Sequence, residues 1–215
     1  MIKAIIFDFD GVIVESVSIK THAFAEIYHE HGKNIVDKVM AHHLVNGGMS
    51  RFEKFRFYHK EYLGRNLVAN ELTELTDQFS NLVVDKVIAA PYVRGAYEFL
   101  SEYHNTYDFY ISTGTPEAEI IRILKAKHIE GFFKGVFGSP EKKSKHVRRI
   151  LSNGEYKKKE VIFVGDSPSD RDAARNYNIL FIARLTGENS QLESEKMTIP
   201  DFENFGEQIW KNIFP

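Results

Sequence analysis

Residues 2–11 read Ile-Lys-Ala-Ile-Ile-Phe-Asp-Phe-Asp-Gly. The first six form a nearly continuous apolar run. A run of this kind suits a strand buried on both faces of a parallel sheet, since a half-exposed strand would alternate apolar and polar residues. It ends at Asp8, and Asp10-Gly11 marks a turn.

Three similar runs lie much further along. Residues 107–111 (YDFYI) lead into Ser112-Thr113-Gly114-Thr115, and residues 161–164 (VIFV) into Gly165-Asp166-Ser167-Pro168. Residues 179–183 (ILFIA) make the third, and 135–137 are a weaker strand candidate before Gly138-Ser139-Pro140. Helical spacing fills the intervals, over 95–102, 117–127, 144–151 and 169–177. Thr115-Pro116 reads as the entry to the second of these. Strands alternating with helices predict a parallel, doubly wound, Rossmann-like α/β sheet.

Residues 16–89 break the alternation. They hold no convincing buried strand and read as four helices, over 19–30, 35–44, 52–63 and 69–88. Ala23, Phe24, Ile27 and Tyr28 recur at helical spacing, and Asn46-Gly47-Gly48 forms a loop in the middle. The expected organisation is an α/β core of residues 1–15 and 90–215, with an all-helical insert of residues 16–89.

The 215 residues are 43% hydrophobic and 27% charged, enough for a sizeable core without staples. There is no cysteine, which removes disulfides, thiolate metal sites and thiol nucleophiles together. That fits a cytoplasmic location. A net charge of -2 and the lack of an aromatic-basic platform disfavour nucleic acid as a partner. The first apolar run is too short for a signal peptide, and no run approaches the length of a membrane span. Lys157-Lys158-Lys159 reads as solvated surface.

Ligands of open α/β sheets bind at the carboxyl ends of the strands. Three strand ends here carry polar residues: Asp8 and Asp10; Ser112, Thr113 and Thr115; Asp166 and Asp170. Four carboxylates in one crevice require positive charge. A hard divalent cation with oxygen ligands, Mg²⁺ in preference to zinc, supplies it, with Lys143 nearby. The same set suits phosphoryl transfer. One carboxylate attacks phosphorus, cation and hydroxyl hold the equatorial oxygens, and a second carboxylate moves the proton.

These segments resemble the signatures of the haloacid dehalogenase-like hydrolases. Asp8-Phe9-Asp10-Gly11-Val12 is similar to the first, Thr113-Gly114-Thr115 to the second, Lys143 after Gly138-Ser139-Pro140 to the third, and Gly165-Asp166-Ser167-Pro168-Ser169-Asp170 to the fourth. All four stand in order. The resemblance implies Asp8 as nucleophile and metal ligand, and Asp10 as general acid/base with its backbone carbonyl on the metal. It further implies that Thr113 and the Gly114 backbone hold the phosphoryl group and that Lys143 pairs with the nucleophile. Asp166 and Asp170 complete the Mg²⁺ site. It also implies a helical cap inserted after the first signature, which matches 16–89. The implied activity is an aspartyl-phosphate phosphatase acting on a small phosphorylated metabolite, a sugar phosphate or a phosphoglycolate-like acid.

The third signature departs from the family's usual pattern, so Lys142 and Lys145 stand as alternatives to Lys143, as Ser112 does to Thr113. A phosphomutase is the second enzymatic reading. Mutases of the family tend to place a histidine where Lys20 stands, which lowers it. A phosphonate-cleaving relative would need a cap lysine such as Lys20 or Lys54, neither specifically marked. A non-catalytic binding protein on this fold usually lacks one of the carboxylates, and none is missing here. Arg51, after the central loop, is the candidate for a second anionic group on the substrate. Lys20 and His22 read as a solvated helix face, His42, His43 and His59 as surface residues, and Trp210 with the segment from Met197 as terminal packing.

Overall fold

The computed structural model describes residues 1–187 and 190–207. Its centre is a six-stranded parallel sheet of order β3-β2-β1-β4-β5-β6. The strands are β1 (Ala4–Phe7), β2 (Asp108–Pro116), β3 (Phe133–Ser139), β4 (Val161–Gly165), β5 (Leu180–Arg184) and β6 (Thr198–Ile199). The expected α/β fold is the one observed. β2 runs further than its apolar stretch, through the Ser-Thr-Gly-Thr segment, and β6 lies in what reads from sequence as a tail. Trp210 lies outside the described residues.

The doubly buried character of β1 is visible in which core each residue joins. Ile5 and Phe7 pack with Phe99, Phe109, Ile162 and Phe202 on one face. Ala4 and Ile6 pack with Tyr110, Val147, Ile150 and Phe163 on the other. The period of two along the strand thus feeds two cores, one per face. Each buried Phe or Ile contributes roughly 1.5–3 kcal/mol of transfer free energy, so β1 anchors the domain.

The order of strands creates the crevice. β1 pairs with β2 on one side and β4 on the other. The chain reverses its direction of travel across the sheet at β1, where an opening forms at the strand carboxyl ends. The Asp8 N–H donates to the Val164 carbonyl at 3.0 Å, holding the end of β1 against the end of β4.

Between β1 and β2 lie α1 (Val17–Ile27), α2 (Lys33–Val45), α3 (Arg51–Phe57) and α4 (Ala69–Ala89). α3 runs on through a π-helical turn, Tyr58–Tyr62, so the expected helix over 52–63 changes its winding part-way. The insert is held by crowded aromatic rings. Phe24 lies 4.4 Å from Phe79 and 5.4 Å from Phe55 by ring centroid, and Tyr58 meets Phe24 edge-on. The chain leaves and re-enters the sheet at adjacent points. The Glu15 N–H donates to the Pro91 carbonyl, the Val93 N–H to the Ile13 carbonyl, and Val14 bridges antiparallel to Tyr92.

Four helices flank the sheet: α5 (Ala96–Tyr103), α6 (Glu117–Ala126), α7 (Lys143–Asn153) and α8 (Pro168–Asn176). Pro168 opens α8, where its missing N–H would have no intrahelical partner anyway. No helix is long and apolar enough to cross a membrane among the described residues.

Candidate active site

Asp8 is the residue after β1 and is 4% exposed. Its Oδ1 accepts from the Phe9 N–H at 2.6 Å, and its Oδ2 accepts from Lys143 Nζ at 2.6 Å. Lys143 donates equally to Asp170 Oδ1 at 2.6 Å. Asp170, in the first turn of α8, also accepts through Oδ2 from Ser167 N–H at 3.1 Å and from Ser167 Oγ at 2.5 Å. One buried ammonium therefore stands between two buried carboxylates. Lys143 begins α7 instead of lying in a loop, while Lys142 and Lys145 are exposed.

Asp8, Asp166 and Asp170 each offer an oxygen within 4.8 Å of the others. Burial pushes the Asp8 carboxyl up to about 7; Lys143 opposes this, while Asp170 and Asp10 add to it. Asp166 is raised for the same reasons, burial first and then Asp8 and Asp170. Lys143, though burial works against its charge, is raised by Asp170 and Asp8. So crowded a carboxylate group with one ammonium still carries excess negative charge. All-oxygen donors around that excess fit a hard divalent cation such as Mg²⁺.

Gly11 makes the crowding feasible. It sits at φ +73°, and a Cβ there would lie 2.2 Å from Asp166 Oδ2. Only glycine fits both the conformation and the space.

Asp10 faces differently. Its carboxylate takes a hydrogen bond from Ser16 Oγ at 2.7 Å, one from Thr115 Oγ1 at 3.0 Å, and an ion-paired one from Lys20 Nζ. Lys20 also donates to Thr115 Oγ1 at 2.8 Å. Burial pushes Asp10 up, but Lys20, Ser16 and Thr115 outweigh it and hold the carboxyl below its ordinary value. Its side chain is thus held by Lys20, Ser16 and Thr115, while Lys143 serves Asp8 and Asp170. The solvated reading of Lys20 is overturned, whereas His22 is exposed. The signal was available: Val17, Lys20, Thr21 and Phe24 share a helical stripe, and Thr21 and Phe24 are buried.

Ser112 and Thr113 point to opposite faces of β2. Ser112 Oγ meets His146 Nδ1 of α7 at 2.9 Å. Thr113 lines the crevice, and its Oγ1 accepts from the Thr115 N–H at 3.2 Å. His146 is fully buried, and its Nε2 and the Ser139 Oγ have no hydrogen-bond partner among the described residues. Burial pushes His146 down to about 4. Below its unfolded value, near 6.5, the unfolded chain takes up a proton that the folded chain refuses until about 4. Stability from this residue is whole above pH 6.5 and lost as pH falls toward 4, by about 3 kcal/mol at most. His146→Gln should flatten that part of the stability curve relative to the parent in urea melts at pH 4.5 and 7. Parallel curves would sink this account.

A cavity of about 40 Å³ lies between the insert and the strand ends, lined by Asp8, Asp10, Thr113, Lys54, Phe24 and Phe79 among others. The loop Gly47–Met49 closes it. A Cβ on Gly48 would lie 2.0 Å from Ser169 Oγ and 3.0 Å from Lys143 Nζ, and a Cβ on Gly114 would lie 3.1 Å from the Gly48 carbonyl oxygen. Gly48→Val should therefore hold the loop off the core. We expect turnover to fall about ten-fold or more with little change in melting temperature, because loop contacts are a small part of the core. Unchanged kcat/KM would contradict this.

Arg51 is 4% exposed and lines the same cavity, but its guanidinium is engaged. It donates to Ser80 Oγ at 2.6 Å, and its two terminal nitrogens grip Glu119 of α6. The expected free guanidinium for the substrate is here a bridge from insert to core. The surface reading of His43 and His59 also fails, as both are buried. His43 Nδ1 lies 2.6 Å from Lys54 Nζ, and His59 Nδ1 lies 2.8 Å from Tyr28 Oη. Each follows a buried residue by four, Val39 and Phe55, and that spacing was the overlooked signal.

Residues 5–184 match the family model described as haloacid dehalogenase-like hydrolase. The Bacillus subtilis protein YhcW is 39% identical over 75 residues, a match spanning 35% of this chain and 33% of the length of that curated relative. Among solved structures, β-phosphoglucomutase from Clostridium difficile superposes with TM-score 0.78 at 19% identity, over 100% of both chains. YfnB from Bacillus subtilis, solved bound to magnesium, superposes with TM-score 0.69 at 15% identity, over 97% of this chain and 98% of its own. At these identities the structural likeness is one of fold.

Proposed function

The chain belongs to the haloacid dehalogenase-like hydrolases, and from that premise we propose that it is a Mg²⁺-dependent phosphatase of small phosphorylated metabolites. The observation that carries the reading is the double contact of Lys143 with Asp8 and Asp170 beside Asp166, at the edge of a cavity that Asp10 also lines.

Asp8 attacks phosphorus, forming a carboxyl O–P bond as the ester P–O bond breaks. Asp10 delivers a proton to the departing oxygen. Lys20 keeps Asp10 ionised beforehand, so the proton arrives with the substrate, whose phosphoryl group has a second pKa near 6. Asp10 then takes a proton from water, which attacks the aspartyl-phosphate and restores Asp8. Thr113, the Gly114 backbone and Lys143 hold the phosphoryl oxygens. Asp8, Asp166, Asp170 and the Asp10 carbonyl are the proposed Mg²⁺ ligands, and the bound ion would withdraw charge from the phosphoryl oxygens as the carboxylate approaches.

Residues 16–89 act as a cap over a core of 1–15 and 90–215, and Arg51 holds it to the core through Glu119. The cavity under the cap is small, about 40 Å³, which supports water over a second sugar as acceptor of the phosphoryl group. The substrate enters when the cap opens. The test is phosphate release from a panel of phosphomonoesters with Mg²⁺ and with EDTA. Release dependent on Mg²⁺ supports the reading. Exchange of phosphate between two hydroxyls of one substrate, without release, would replace it with a phosphomutase.

A further inference from the structure

The cavity is lined by three long cationic side chains, and two of them are matched by carboxylates: Lys20 holds Asp10, and Arg51 holds Glu119. Lys54 is the exception. It is 1% exposed, projects from α3, and lines the same cavity as Asp8, Asp10 and Thr113. Its hydrogen-bond partners are both neutral, His43 Nδ1 at 2.6 Å and the Gly47 carbonyl at 3.5 Å. The Phe24 ring lies 5.5 Å from its Nζ. Burial disfavours its charge, Asp10 and Asp166 in the same lining favour it, and a buried lysine set into a cavity in this way is a candidate for contact with a ligand.

Resting on the phosphatase reading, we propose that Lys54, positioned by His43, is the subsite for a carboxylate on the leaving group, so that the substrates are short phosphorylated hydroxy acids. Three observations select this chemistry. Apart from the strand-end residues and the cations, the lining side chains are largely apolar, Val17, Phe24, Met49 and Phe79. A sugar needs several hydrogen-bonding partners there, and the one guanidinium within reach is already taken by Glu119 and Ser80. A single ammonium balances one carboxylate, whereas a second phosphate would bring nearly twice that charge into a small cavity of about 40 Å³. Burial holds Lys54 well below its ordinary value, helped by Lys20, so an arriving carboxylate would restore its charge and form a desolvated ion pair. His43, itself depressed by burial and by Lys54, presents a lone pair to the amine and fixes its direction.

The probes are phosphoglycolate and ethyl phosphate, which differ in the carboxylate. Their affinities are measured calorimetrically with Mg²⁺ on Asp8→Asn and on Asp8→Asn/Lys54→Met, and their kcat/KM on the parent and on Lys54→Met. We expect phosphoglycolate to bind about 30- to 100-fold more tightly than ethyl phosphate, and Lys54→Met to erase that ratio. His43→Gln should reduce the ratio without erasing it, mainly through KM. Equal binding of the two probes to Asp8→Asn overturns the proposal, and needs no folded Lys54 variant. So does an unaltered ratio in Lys54→Met. So does borohydride trapping of Lys54 as an imine with phosphonoacetaldehyde, which would make the amine a nucleophile. Preferential binding without turnover by the parent would uphold the subsite and remove the phosphatase reading alone.

Discussion

Asp8→Asn should lose turnover by roughly 10⁴-fold or more while melting no lower than the parent in EDTA. The amide cannot form the acyl phosphate, and Asp10, the other carboxylate after β1, is engaged by Lys20, Ser16 and Thr115. The stability half of the result follows from the charges. Burial, with Asp170 and Asp10 beside it, raises Asp8 to about 7 despite Lys143. A carboxyl raised in the folded state helps stability at low pH and loses that help as pH climbs through about 7. Keeping Asp8 ionised above that pH is unfavourable by an amount on the order of a few kcal/mol, and asparagine escapes it. The variant should thus gain on the parent as pH rises from 4 to 8. Added Mg²⁺ should narrow the gap by stabilising the parent more. Phosphate release by the variant at the parental rate would end the aspartyl-phosphate mechanism.

Lys143→Met should act in the opposite sense on stability. It strips the only ammonium from between Asp8 and Asp170, both buried, and leaves Asp166 in the same group. Removing one partner of a buried ion pair typically costs about 3–5 kcal/mol, so in EDTA the variant should melt well below the parent. A more negative cluster binds a divalent cation more tightly. Mg²⁺ should therefore raise the melting temperature of Lys143→Met by more than it raises the parent's. Turnover should stay low even at saturating Mg²⁺, because the ammonium that donates to Asp8 Oδ2 is gone. Equal Mg²⁺-induced shifts in the two proteins would show that Lys143 does not belong to the charge balance of the site.

Much of this was legible in sequence because it depends on local pattern. A buried strand announces itself by continuous apolar residues, and a parallel sheet follows from where such strands fall among helices. Acids after strands 1 and 4 point to a common crevice on general grounds. The features that eluded sequence reading depend on what lies opposite. Lys20 and His43 stand on inward helix stripes, but a charged residue on a helix faces water so often that spacing alone did not outweigh that expectation. The partner of Arg51 is Glu119, 68 residues away on a core helix, and nothing local connects them. β6 is two residues long, too short for a periodic signal, and its place is set by pairing with β5.

The paired crossing of Ile13–Glu15 with Pro91–Val93 has a consequence for the history and engineering of the chain. An excursion of some seventy residues departs and returns through a single doorway, while its apolar residues share a core with one face of the sheet. Such a module can be traded whole. A chain joining residue 15 to residue 90 through a short turn would retain the core built on Ala4, Ile6 and Phe163, and a foreign module with neighbouring ends could be seated in its place. The carboxylates proposed for catalysis would stay while the chamber above them changed, so that one chemistry could be handed from substrate to substrate by exchanging its roof.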